Sequence, residues 1–197
     1  MDKRDVVLQR SCPILQAPKF SQFIPLEVPG ERIVVASNGV FIEVHRKWGY
    51  FIRKAGQVGV TVPYGEMSEA TIIRTPALPK HLLKSFDQIA QEDPTVEVGA
   101  SVVWNETTNE FRLVRSESIL ATGTKLKYRI PRLDDKDHIV IDCHSHGGGN
   151  PYFSPEDNED DLHAVKLSYV VGRCHETNPT SVMRICIKGI FQNLPRW

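Results

Sequence analysis

His144 and His146 stand one residue apart, and Ser154, two spacers and Asp157 follow after seven further residues. Two imidazoles, a carboxylate and a hydroxyl are the donors of a hydrolytic zinc site. Zinc takes nitrogen and oxygen ligands in a tetrahedron, and in catalytic sites three protein ligands leave one position open for water. The expected cofactor is therefore one Zn2+ per chain, held by His144, His146 and Asp157. Such a site also needs a carboxylate outside the ligand set to take a proton from that water, and Glu97 is the candidate. It lies between Val96 and Val98 in a run, residues 95–104, that reads as a mostly buried strand. A carboxylate placed there is costly unless it is paired, hydrogen-bonded or used.

The elements that must hold these residues are legible nearby. Residues 138–143 read as a buried strand whose direction carries into the two histidines, and residues i and i+2 of a strand face the same side. Ser154, Pro155 and Asp157 form a helix start, with Ser at the cap, Pro in the first turn and a carboxylate three residues on. Asp157 is thereby expected on a helix facing the strand end. Gly147, Gly148 and Gly149 lack the Lys-Ser/Thr ending of a phosphate loop and read as flexible backbone beside a cleft. The acidic run from Glu156 to Asp161 reads as a solvated first helical turn rather than a calcium loop.

With 197 residues and 41% hydrophobic content, the chain can build one sizeable core, or one core and a small accessory unit. The 24 basic and 24 acidic residues cancel, so no global field favours nucleic acid or an anionic membrane as a partner. No run of about 18 apolar residues is present, and the expected location is cytoplasmic. The four cysteines are widely spaced and form no Cys-x-x-Cys pair, which points to reduced thiols in packing roles.

In chain order, residues 1–30, with four prolines, read as irregular. Strands are expected over 32–36, 40–45, 48–53 and 57–62, the first two joined by a hairpin at Ser37-Asn38-Gly39. Residues 1–74 therefore form a small, mostly β N-terminal accessory unit, in which Arg46-Lys47-Trp48 is either a partner contact or a strand end with its Trp folded onto the core. From residue 75 the pattern changes. Leu82, Leu83, Phe86, Ile89 and Ala90 form the stripe of an amphipathic helix that stops at Asp93-Pro94. A hairpin through residues 105–109 and strands over 120–129, 138–143, 167–171 and 182–188 complete an α/β second domain, residues 75–197.

Pro94-x-x-Glu97-x-Gly99 behind an amphipathic helix, followed by His144-x-His146, Ser154 and Asp157, resembles the JAMM (MPN or JAB domain) metalloprotease family over residues 75–197. The stretches Asn38 to Phe41, Arg46 to Trp48, Val140 to Gly147 and Phe153 to Asp161 extend the resemblance over nearly the whole chain, to the PRTRC system protein A family. The resemblance implies a curved mixed β-sheet flanked by helices. It implies His144, His146 and Asp157 as zinc ligands, Glu97 as general acid and base, and Ser154 as a donor to the tetrahedral intermediate. The implied activity is cleavage of a peptide or isopeptide bond at the C-terminal tail of a ubiquitin-like protein. The implied partners are that protein and a ThiF-like adenylating enzyme. Gly147 departs from relatives that carry Pro after the second His. Two other readings stay open: a binding or scaffold module of the same fold with a structural metal site, and a zinc hydrolase acting on a small amide or on nucleic acid.

Overall fold

The structure, a computed structural model, describes residues 2–121, 126–129 and 131–195. Three helices and two mixed sheets dominate it, and the chain divides into two compact units, Met1–Arg74 and Thr75–Trp197.

In the first unit a five-stranded sheet runs β1 (Ile14–Gln16), β2 (Gly30–Ala36), β3 (Gly39–Arg46), β4 (Gly49–Gly56), β5 (Ala70–Ile73), in that spatial order. The expected hairpin is present, with Gly39 at φ 149°. A side chain there would collide with Lys54 and with the Gly56 carbonyl, at 2.6 and 2.7 Å. Val34, Ala36, Phe41, Tyr50, Ile52 and Met67 pack as the core of this unit. Glu43 is fully buried, where Arg32, Tyr50 Oη (2.7 Å) and the Leu26 amide (2.7 Å) donate to it. Trp48 is buried edge-on against Phe51, and Arg46 pairs with Glu31. The Arg46-Lys47-Trp48 stretch thus has its Trp in the core.

Two expectations fail in this unit. Residues 1–30 are not wholly irregular: α1 (Lys3–Ser11) forms behind an Asp2 cap that accepts from the Arg4 amide, and β1 pairs in parallel with β2. Proline density concealed both elements, because each is short: α1 ends just ahead of Pro13, and β1 fits between Pro13 and Pro18. Residues 57–62 form no strand, since Gly56 and Gly59 interrupt the apolar alternation; β5, with three of its four residues exposed, takes the edge instead.

The second unit holds a six-stranded sheet in the order β13 (Ile190–Asn193), β12 (Thr180–Ile187), β11 (Val165–Gly172), β10 (Asp137–Ser145), β6 (Gly99–Asn105), β7 (Glu110–Arg115). β10 and β11 are parallel, joined through α3 (Pro155–Asp161), and the other neighbours are antiparallel. The run expected as one strand over 120–129 is instead a separate antiparallel pair, β8 (Glu117–Ala121) and β9 (Leu126–Arg129), with residues 122–125 outside the described set. The amphipathic helix is α2 (Lys80–Glu92), which buries Leu83, Phe86 and Ala90 and stops before Pro94 as its stripe predicts. Cys143, Cys174 and Cys186 are buried free thiols. Among the described residues no helix is long and apolar enough to cross a membrane.

Candidate metal centre

His144 lies near the end of β10, and His146 follows the strand's last residue. β10 is central, so its backbone is fixed on both sides. His144 pairs with Gly99 on β6 and with Val170 on β11, and the His146 amide donates to the Val171 carbonyl at 2.8 Å. The two Nε2 atoms converge to 3.3 Å, and Asp157 Oδ1 comes within 3.3 Å of His144 Nε2. The three ligand atoms all lie within 4.8 Å of one another.

Two of the three residues, His146 and Asp157, are oriented from behind. His146 Nδ1 lies 3.1 Å from the Asn150 carbonyl, which can only accept; Nδ1 therefore carries the proton and Nε2 presents a lone pair to the site. Burial holds the His144 pKa below its ordinary value, with the nearby His146 acting in the same direction and Asp157 opposing it, so its imidazole is neutral at neutral pH. Asp157 Oδ2 accepts from the Ser154 amide (2.6 Å) and the Ser154 hydroxyl (2.7 Å), while the Asp157 amide donates to Ser154 Oγ (3.1 Å). This is a complete capping box on α3, and it leaves Oδ1 facing His144.

The spacing of these atoms is that of donors around a metal ion. Two nitrogens each about 2.05 Å from a tetrahedral ion lie about 3.3 Å apart. Both observed separations from His144 Nε2 equal that value. Converging lone pairs at this distance repel one another unless a cation or a shared proton sits among them. Two imidazoles and a carboxylate, with His146 and Asp157 each held by a partner, are a donor set that fits a zinc ion.

Glu97 is brought to the same end of the sheet, although not as expected. It lies in the segment between α2 and β6 rather than inside the strand, which begins at Gly99. Val98 is clipped to β10 twice: its amide donates to Ser145 Oγ at 3.0 Å, and its carbonyl accepts from the Ser145 amide at 2.9 Å. Burial raises the Glu97 pKa to about 7, and the charges of Asp157 and then Glu156 push the same way. The carboxylate therefore senses the charge of Asp157 without being a member of the cluster that could hold a metal.

The glycines after His146 are not loose backbone. Gly147 adopts φ 51°, and a Cβ on it would meet the Pro94 carbonyl at 2.6 Å. Glycine at this position admits the 94–97 segment to the second histidine, where a side chain would hold it off. Gly147 and Gly149 carbonyls also accept from the Cys174 and Arg173 amides. The acidic run is likewise only partly solvated. Asp161 is buried and accepts from Lys166 Nζ, Arg184 Nη2 and Ser168 Oγ, each at 2.8 Å. Arg184 also donates to the Asp157 carbonyl (3.2 Å) and to Asn158 Oδ1, and its guanidinium is sandwiched between Phe153 and Phe191. Sequence reading missed this support because Asp161, Lys166 and Arg184 are separated along the chain; a lone Arg between Met183 and Ile185 was the available signal.

Residues 79–185 match the family described as prokaryotic homologs of the JAB domain. The match covers more than half of the chain, and the protein belongs to that family. Residues 2–74 match a domain of unknown function, DUF2016. No curated protein matches the chain.

Proposed function

We propose that this chain is a zinc-dependent hydrolase, a JAMM-type peptidase or isopeptidase that cuts at the C-terminal tail of a ubiquitin-like protein. The observation that carries the reading is the gathering of His144 Nε2, His146 Nε2 and Asp157 Oδ1 within 4.8 Å of one another, with both separations from His144 Nε2 at the spacing of a tetrahedral ion and Glu97 outside the set but near enough to feel the charge of Asp157. Zinc, when bound, supplies a Lewis acid that acidifies water and polarises the scissile carbonyl.

The chain's own residues do the remainder. Glu97, with a pKa near neutrality, is suited to take a proton from the attacking water and return it to the leaving amine. Ser154 Oγ donates to Asp157 Oδ2 in this structure. That oxygen also holds the Ser154 amide, so the hydroxyl can turn to a developing oxyanion without leaving the carboxylate unbonded. The Asn150 carbonyl and the α3 capping box keep His146 and Asp157 in place throughout.

Residues 1–74 are proposed as an accessory unit of a cytoplasmic PRTRC-type system, with a ThiF-like adenylating enzyme and a ubiquitin-like protein as partners. The test is cleavage of ubiquitin-like fusion proteins by the zinc-loaded chain and by Glu97→Gln. Cleavage by the wild type and its loss in a variant that still holds zinc supports the reading. A wild-type chain inert on every fusion, or a variant that cuts as well as the wild type, contradicts it.

A further inference from the structure

The helix that carries Asp157 cannot hold its own position. α3 has seven residues, well below the roughly 12–15 at which an isolated helix becomes even marginal in water. After Pro155 it reads Glu156-Asp157-Asn158-Glu159-Asp160-Asp161, so it offers the sheet no apolar stripe. The carboxylates of its first turn suit the helix dipole, but Asp160 and Asp161 at its end oppose it. Its one buried residue is Asp161, itself a carboxylate.

The side chain that ties this helix down is Arg184. β12, which carries it, is paired on both sides, with Arg184 opposite Ser168 on β11 and Asn193 on β13. From that fixed point the guanidinium reaches both turns of α3 and the residue ahead of its cap. It lies 4.0 Å from the ring centroid of Phe153, just before Ser154, and 4.1 Å from that of Phe191. Nη2 donates to the Asp157 carbonyl in the first turn (3.2 Å) and to Asp161 Oδ2 in the last (2.8 Å), while Nη1 donates to Asn158 Oδ1. Lys166 also pairs with Asp161, but its other bond runs to Asp142 on β10. Of the two cations on Asp161, Arg184 is the one that also bonds Asp157.

Resting on the metal-centre reading above, we infer that Arg184 is a positioning residue for the third metal ligand. By fixing the backbone of Asp157 it holds Oδ1 where His144 Nε2 and His146 Nε2 converge, and the affinity of the site for zinc depends on it. The capping box sets how the Asp157 carboxylate turns on its helix, and Arg184 sets where the helix sits. The task calls for a guanidinium, which donates to three acceptors at once while stacked between two rings. An ammonium can pair with Asp161 but is a point charge on a flexible stem and cannot reproduce the fork. Lysine at this position therefore separates an ion pair needed for folding, which it supplies, from a fork that places Asp157, which it does not.

The test measures the zinc dissociation constant of the full-length chain by competition with chelators of known affinity, for the wild type, Arg184→Lys and Arg184→Met, with folding followed by circular dichroism. Arg184→Lys should fold and bind zinc about ten- to a hundredfold more weakly, the range for loss of a group that orients a metal's ligands. Arg184→Met should be at least as weak. Asn158→Ala, which removes one acceptor of the fork and no charge, should shift affinity in the same direction and carries the test if neither Arg184 variant folds. In an Asp157→Asn background Arg184→Lys should make no further difference, because its route to the metal runs through Asp157. Wild-type zinc affinity in the folded variants, or an equal loss with and without the Asp157 carboxylate, would overturn the positioning role. A wild type that binds no zinc would remove the metal centre and this role together. The expected affinities with no cleavage of any fusion by the wild type would leave the role standing and remove the hydrolase.

Discussion

At the scale of single residues, the proposed hydrolysis turns on a division of labour between Asp157 and Glu97. Asp157 has one oxygen committed to Ser154 and the other turned to His144, whereas Glu97 is held half-buried with its pKa raised to about 7. Glu97→Gln keeps size and polarity but cannot accept a proton, so turnover on a cleaved fusion should fall about a hundred- to ten-thousandfold with zinc retained. Steady-state kinetics beside metal analysis reads both. Asp87 offers a separate test through stability. Its folded pKa, raised by burial to about 6, exceeds the ordinary 3.8, so the folded state binds this proton more tightly than the unfolded state. The resulting stabilisation is full below pH 3.8 and is lost as pH rises through about 6. Tyr169 Oη donates to Asp87 Oδ1 at 2.9 Å, and Asp87→Asn keeps that acceptor without the charge. Urea denaturation should show it more stable than the wild type at pH 8, with the advantage shrinking towards pH 5; a pH-independent difference would contradict the assignment.

At the scale of elements, the site depends on a strand end, a helix cap and a glycine turn meeting correctly. Gly147→Ala forces a side chain into positive φ and against the Pro94 carbonyl. It should cost about 2 kcal/mol by chemical denaturation and weaken zinc affinity, since the 94–97 segment must retreat from His146. Arg184→Met removes one of the two cations that pair with buried Asp161, and the clamp on Asp157 and Asn158, and should cost about 3 kcal/mol. The clustering of His144, His146 and Asp157 was readable in the sequence because zinc chemistry restricts residue types and because a capping box is local. The stop of α2 was readable for the same local reason, since Pro94 acts on its own neighbours. What stayed hidden is non-local. The placement of Glu97 ahead of β6 depends on Ser145 bonding Val98, and the Asp161–Lys166–Arg184 network joins residues on a helix and two strands. Gly147 read as freedom, but the constraint that demands glycine lies 53 positions away at Pro94.

For the whole molecule, the two units carry separate cores, and every residue of the metal centre and of the Arg184 network that supports it belongs to Thr75–Trp197. Residues 75–197 expressed alone should therefore fold and retain zinc, as circular dichroism and metal analysis would report. If the second unit folds without zinc while the full chain holds it, the centre depends on residues 1–74. The central claim is a zinc ion on His144, His146 and Asp157. Zinc stoichiometry, measured on the purified full-length chain and on His144→Ala and Asp157→Asn after equilibration with equal free zinc, tests it most directly. The account predicts about one equivalent in the wild type and a marked loss in both variants. A wild type without stoichiometric zinc, or variants that bind it as the wild type does, would contradict it.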